Sequence, residues 1–164
     1  MSGQLGDFFR PGPITKTDRM IKTDLQRFAL SHEHAFWVAR VVTAGLFIAH
    51  AVVRVVNETI PAFAAFMASL GFPQAVAVVW AITVVEVLAG LCLIVRFQVI
   101  AACGALAAIA LGGIVLIHRK FGWFVGEHGT GGSEYSVALL LLLFLIVVDA
   151  VVRNPRGAGH VAKA

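Results

Sequence analysis

Residues 74–95 read QAVAVVWAITVVEVLAGLCLIV, a run whose one charged side chain is Glu86. A helix of about 20 residues, rising about 1.5 Å per residue, crosses a hydrocarbon core about 30 Å thick. Lipid offers backbone amides and carbonyls no partner, so such a run predicts a spanning helix that pairs them internally. Three more apolar stretches of similar length occur at about 35–56, 97–118 and 135–152. The alternation of barrel strands is absent. The predicted fold is all-α, a four-transmembrane-helix bundle.

Composition agrees. The 164 residues are 59% hydrophobic and only 13% charged, above the apolar share of about 45–50% usual for soluble domains. Mean hydropathy is +0.88. The sequence pI near 9.6 does not point to nucleic acid, because the basic residues flank the apolar runs. Arg10, Lys16, Arg19, Lys22 and Arg27 precede the first, and Arg153, Arg156 and Lys163 follow the last. With Arg96, nine lie on one side of a four-span chain, against Arg54, Arg119 and Lys120 on the other. The positive-inside rule makes the first side cytoplasmic, so both termini are expected there, in a bacterial-type inner membrane. The first 30 residues lack the apolar core of a cleavable signal. Cys92 and Cys103 lie in apolar runs and form no C-x-x-C pair, which predicts packing roles and no metal site.

The expected organisation is a cytoplasmic segment at 1–34, a membrane domain at 35–152 and a cytoplasmic tail at 153–164. In the segment, Ile21, Leu25 and Phe28 recur at i, i+4 and i+7 beside basic residues, predicting an amphipathic interfacial helix over 16–31. Between spans 1 and 2, Asn57 and Pro61 predict the start of a short outer-side helix ending at Gly71-Phe72-Pro73. Between spans 2 and 3, Arg96 stands in a junction without Gly or Pro. A continuous helix over 74–118 would be about 67 Å long, so a tight hairpin is required. Ala101, Ala105, Ala108 and Gly112 form a small-residue stripe in span 3 suited to close helix approach.

Ionisable groups inside spans need partners or a wet cavity, since each costs about 2.5–3.5 kcal/mol if uncompensated. Arg40, His50 and Arg54 fall within about 80° on one face of span 1. Heights along the helices suggest Arg40–Glu86 as a structural ion pair. His50, Arg54, Glu86, His118 and Glu134 are expected to gather as a polar pocket toward the outer side. The loop 122–128 would lie over it, its glycines (Gly126, Gly129, Gly131, Gly132) making it flexible. Asp149 and Arg153, at i and i+4, read as a surface pair.

Several of these residues stand in an order that resembles the DoxX-like family of small four-helix membrane proteins. The match runs through Ala39-Arg40, Leu46 to Arg54 (LFIAHAVVR), Met67 to Pro73, Glu86 with Gly90 and Leu93, His118 with Phe121 to Phe124, and Gly132 to Tyr135. Ala51 stands where the family pattern has Gly, and Arg54 where it has Lys. The resemblance, covering about 35–152, implies a membrane subunit like those of quinone-linked sulfur-oxidising enzymes such as thiosulfate:quinone oxidoreductase. Other members accompany membrane oxidoreductase complexes in thiol stress.

Two functions of different kinds follow. One is a subunit of an oxidoreductase complex that holds a quinone or small anion in the pocket of His50, Arg54, Glu86, His118 and Glu134. The other is a non-catalytic anchoring subunit that contacts lipid and other membrane subunits. A third, minor reading is haem or another tetrapyrrole held by His50 and His118. The sequence contains no nucleophile–base pair and no complete metal motif, so no catalytic residue is assigned.

Overall fold

The computed structural model describes residues 15–125 and 131–153. Arg10, Gly126, Glu127, His128, Gly129, Arg156 and Lys163, which entered the expectations above, lie outside the described residues. The described chain is helical: α1 (Lys16–Val56), α2 (Ile60–Ser69), α3 (Ala75–Ile94), α4 (Val99–Leu116), a 3-10 turn (His118–Phe121) and α5 (Glu134–Arg153). Four of these helices, within α1 and at α3, α4 and α5, are long and apolar enough to cross a membrane. The bounds of α3, α4 and α5 lie within two residues of the apolar runs, whereas α1 ends with its run at Val56 but begins far ahead of residue 35, at Lys16.

Contacts divide the chain into residues 1–35 and 36–164. In the first unit, residues 16–31 are helical, but not as the separate short helix expected: they are the start of the unbroken 41-residue α1, and Met20, Ile21, Leu25 and Phe28 are all exposed. In the second, α2 packs on α3, α3 on α4 and α4 on α5. Phe47 of α1, Leu93 of α3, Leu106 of α4, and Leu143 and Ile146 of α5 form one core cluster. The spans face outward with residues such as Val76, Trp80, Leu88, Leu111 and Phe144, whereas Arg40, Arg54, Glu86 and Asp149 are buried. Apolar outside and charged inside is the distribution that suits lipid as solvent.

The helix ends explain how sharp turns arise without the usual signals. At the end of α3, Arg96 adopts φ 59°. Its amide donates to the Leu93 carbonyl at 3.3 Å, and the Phe97 amide to the Cys92 carbonyl at 2.9 Å. This is the Schellman arrangement, with Arg96 where glycine usually stands. The same pattern closes α2 on Gly71 (φ 88°) and α1 on Glu58 (φ 52°). Gln74 and Gln98, also left-handed, open α3 and α4 without side-chain caps. The 2–3 hairpin was therefore invisible to a search for Gly or Pro. Because Arg has a Cβ to accommodate there, Arg96→Gly should raise stability by about 0.5–1 kcal/mol. Thermal melting in detergent micelles checks this, and a lower midpoint would mean that the arginine head makes a compensating contact.

Two expectations change. Asn57 does not open α2; it belongs to the turn that ends α1, and the N-cap is Thr59, without a side-chain cap bond. Its hydroxyl donates instead to the Arg54 carbonyl at 3.1 Å. The buried face of α4 is Ala102, Cys103, Leu106 and Ala110, not the Ala101–Gly112 stripe, because Leu106 supplies apolar area that alanines lack.

Candidate functional site

Close packing of α1 on α3 sets which polar groups can meet. A Cβ on Gly90 would lie 2.7 Å from Ile48 Cγ1 and 3.3 Å from the Ala44 carbonyl oxygen, so only a bare backbone fits. In this antiparallel pair, one turn along α3 brings Glu86 opposite His50–Arg54. There Arg54 Nη1 lies 2.7 Å from Glu86 Oε2, and Nη2 3.4 Å from Oε1. Arg54 Nη1 also donates to Thr83 Oγ1 at 2.8 Å, while that hydroxyl donates to the Val79 carbonyl. The Phe63 ring from α2 sits 5.4 Å from the guanidinium carbon, within cation–π range. The Arg54 carbonyl accepts from both the amide and hydroxyl of Thr59, so backbone and head are both held.

The expected Arg40–Glu86 pair is therefore not formed. The register that joins Glu86 to Arg54 leaves Arg40 level with the Val95–Gln98 turn. That pairing requires the start of the first apolar run to stand level with the end of the second, yet α1 is helical from Lys16. Arg40 instead meets Asp149 of α5, Nη1 to Oδ2 at 3.3 Å. Arg153 Nε reaches the other oxygen, Oδ1, at 2.6 Å. The Asp149 side chain is 1% exposed, so this is an interior carboxylate between two arginines and not a surface pair. Asp149 was legible as buried: Ser136, Leu139, Leu143, Ile146 and Asp149 form the buried stripe of α5. Thr83, three residues before Glu86 on the same face, was likewise missed.

Beside the Arg54–Glu86 pair lies a cavity of about 450 Å³. Leu46, Phe47, Ile82, Ile109, Leu116 and Leu139 give it apolar walls; His50, Arg54, Glu86 and His118 give it a polar end, and Tyr135 and Ser136 of α5 add two hydroxyls. Four of the five expected pocket residues thus share one cavity. His50 lies within electrostatic range of Glu86, Arg54 and His118. Ala108 and Gly112 of the small-residue stripe also line it; their lack of bulk leaves the volume open. Glu134 is not part of the lining. Its Oε1 accepts from the Val125 amide at 2.9 Å, while the Ser133 and Glu134 amides donate to the Gly122 and Trp123 carbonyls. Gly132 touches the Phe124 and Trp123 carbonyls closely enough that no side chain fits. Glu134 therefore ties the loop to the start of α5. Among the described residues, no cluster of three or more His, Cys, Asp or Glu could hold a metal ion.

A family model described as DoxX matches residues 35–119, just over half of the chain. The match takes in His50, Arg54, Glu86 and His118 and ends before α5. No curated protein and no solved structure matches the chain.

Proposed function

The chain belongs to the DoxX family, and from that premise we propose that this multi-pass membrane protein is a subunit of an oxidoreductase complex that holds a quinone in the cavity. The observation that carries the reading is the cavity's chemistry: about 450 Å³ of mostly aliphatic and aromatic wall ending on His50, His118 and a self-neutralised ion pair. A lipid-soluble molecule with an apolar body and one hydrogen-bonding head suits such a space. A small anion suits it less, because Glu86 already neutralises the Arg54 guanidinium at 2.7 Å. The excess of Lys and Arg on the side of the termini and Arg96 supports an orientation with that side cytoplasmic and the cavity toward the outer leaflet.

The test is direct. Protein purified in mild detergent is expected to carry quinone in its lipid extract and to bind decylubiquinone saturably. Absence of both would sink the proposal. A tetrapyrrole held by the same two histidines would announce itself as a strong visible absorption band in that preparation.

An anchoring role is the second reading, and the ion pairs favour it. One joins α1 to α3 and the other α1 to α5, so each buried charge already has a task in holding helices together. If anchoring is the whole function, replacing Arg54 with Met and Glu86 with Leu together leaves partner assembly and cellular function intact.

A further inference from the structure

We propose that His118 is the head-group contact of the cavity, donating a hydrogen bond from Nε2–H to a carbonyl oxygen of the ligand. This deepens the quinone reading and rests on it.

The geometry separates the two ring nitrogens. His118 sits at the start of the 3-10 turn and lines the cavity. Its Nδ1 is buried and has no hydrogen-bond partner. A Cβ on Gly131 would lie 3.7 Å from Nδ1, so the chain passes close over that nitrogen. Nε2 is on the other edge, where a Cβ on Gly113, itself a lining residue, would lie 3.5 Å from it. A buried N–H without an acceptor is the costlier orphan, since burial of a donor strips it of water. An N–H is therefore better placed on Nε2, the nitrogen beside Gly113 of the lining. A donor presented to an apolar space selects an acceptor head, which a quinone carbonyl supplies.

The lining also carries the Tyr135 and Ser136 hydroxyls, on the first turn of α5, and the charged groups are differently placed. Arg54 is committed to Glu86 and Thr83, and the lone pairs of Glu86 face that same guanidinium. His50, on α1, is the second imidazole and is available for the opposite end of the head. The two glycines matter because any side chain at 113 would cover the Nε2 edge.

The test uses the full-length chain in detergent and decylubiquinone as the probe. The amide nitrogen of Gln stands near the place of imidazole Nε2, and that of Asn near Nδ1. His118→Gln is expected to bind within about threefold of the unsubstituted protein. His118→Asn and His118→Phe are expected to bind about tenfold more weakly, the loss of one hydrogen bond. Gly113→Ala, whose methyl would sit at ordinary contact distance from Nε2, covers that nitrogen without substituting the histidine and should weaken binding similarly even if a 118 variant misfolds. Equal binding by His118→Phe, His118→Asn and Gly113→Ala overturns the assignment while leaving the quinone reading standing. Better binding by His118→Asn than by His118→Gln overturns it too, by pointing to Nδ1. If the unsubstituted protein binds no quinone, the reading itself falls and takes this inference with it.

Discussion

Arg54→Met is expected to lower the stability of the folded protein by about 3–5 kcal/mol, the usual consequence of stranding one member of a buried ion pair. The Glu86 side chain is 2% exposed, and its carboxylate accepts from both terminal nitrogens of Arg54. Removing the guanidinium leaves a carboxylate among apolar neighbours, an orphaned Thr83 acceptor and an unfilled space under Phe63. Glu86→Leu alone should be comparably harmful, because it strands the arginine. The double replacement, Arg54→Met with Glu86→Leu, should recover most of the loss, since neither charge then remains to be desolvated. Denaturant unfolding in micelles for the four members of this cycle measures the coupling. Losses that simply add would show that the pair contributes no mutual stabilisation, and that Arg54 is held chiefly by Thr83 and Phe63.

Asp149→Asn is the second large effect, expected at about 3 kcal/mol. The carboxylate stands between Arg40 and Arg153, one on each oxygen. Its neutral amide leaves two guanidinium groups facing one another, and Arg40, with 5% side-chain exposure, has no water into which to turn. Arg40 Nε is already without a hydrogen-bond partner, so this arginine has little in reserve. Arg153→Gln should cost far less, about 0–1 kcal/mol, because that side chain is 24% exposed and its charge is partly solvated. The ranking is the test. Equal losses for Asp149→Asn and Arg153→Gln would mean that the Arg40 contact contributes nothing.

The spans were legible because hydropathy is a local property. The run at 74–95 and helix α3 differ by a single residue at each end, and the other spans follow the same logic. Arg96 and Gln98 show the limit: a tight hairpin could be deduced from length alone, but not its residues, because non-glycine side chains occupy left-handed positions. The gathering of His50, Arg54, Glu86 and His118 was legible as well, since charges in lipid must converge. Glu134 was drawn elsewhere by a free amide at Val125, a local demand that span counting does not see.

What the amino-acid order determined by itself is therefore the helical class, the position of each span and the need for every buried charge to be compensated, all consequences of backbone and side-chain solvation in lipid. Which charge meets which was decided only by the tertiary structure. The packing of Ile48 and Ala44 over Gly90 sets the slide of α1 against α3, and with it Arg54 reaches Glu86 while Arg40 passes to Asp149. A shift of a few ångströms along one helix exchanges partners, and no property of a single helix encodes that slide.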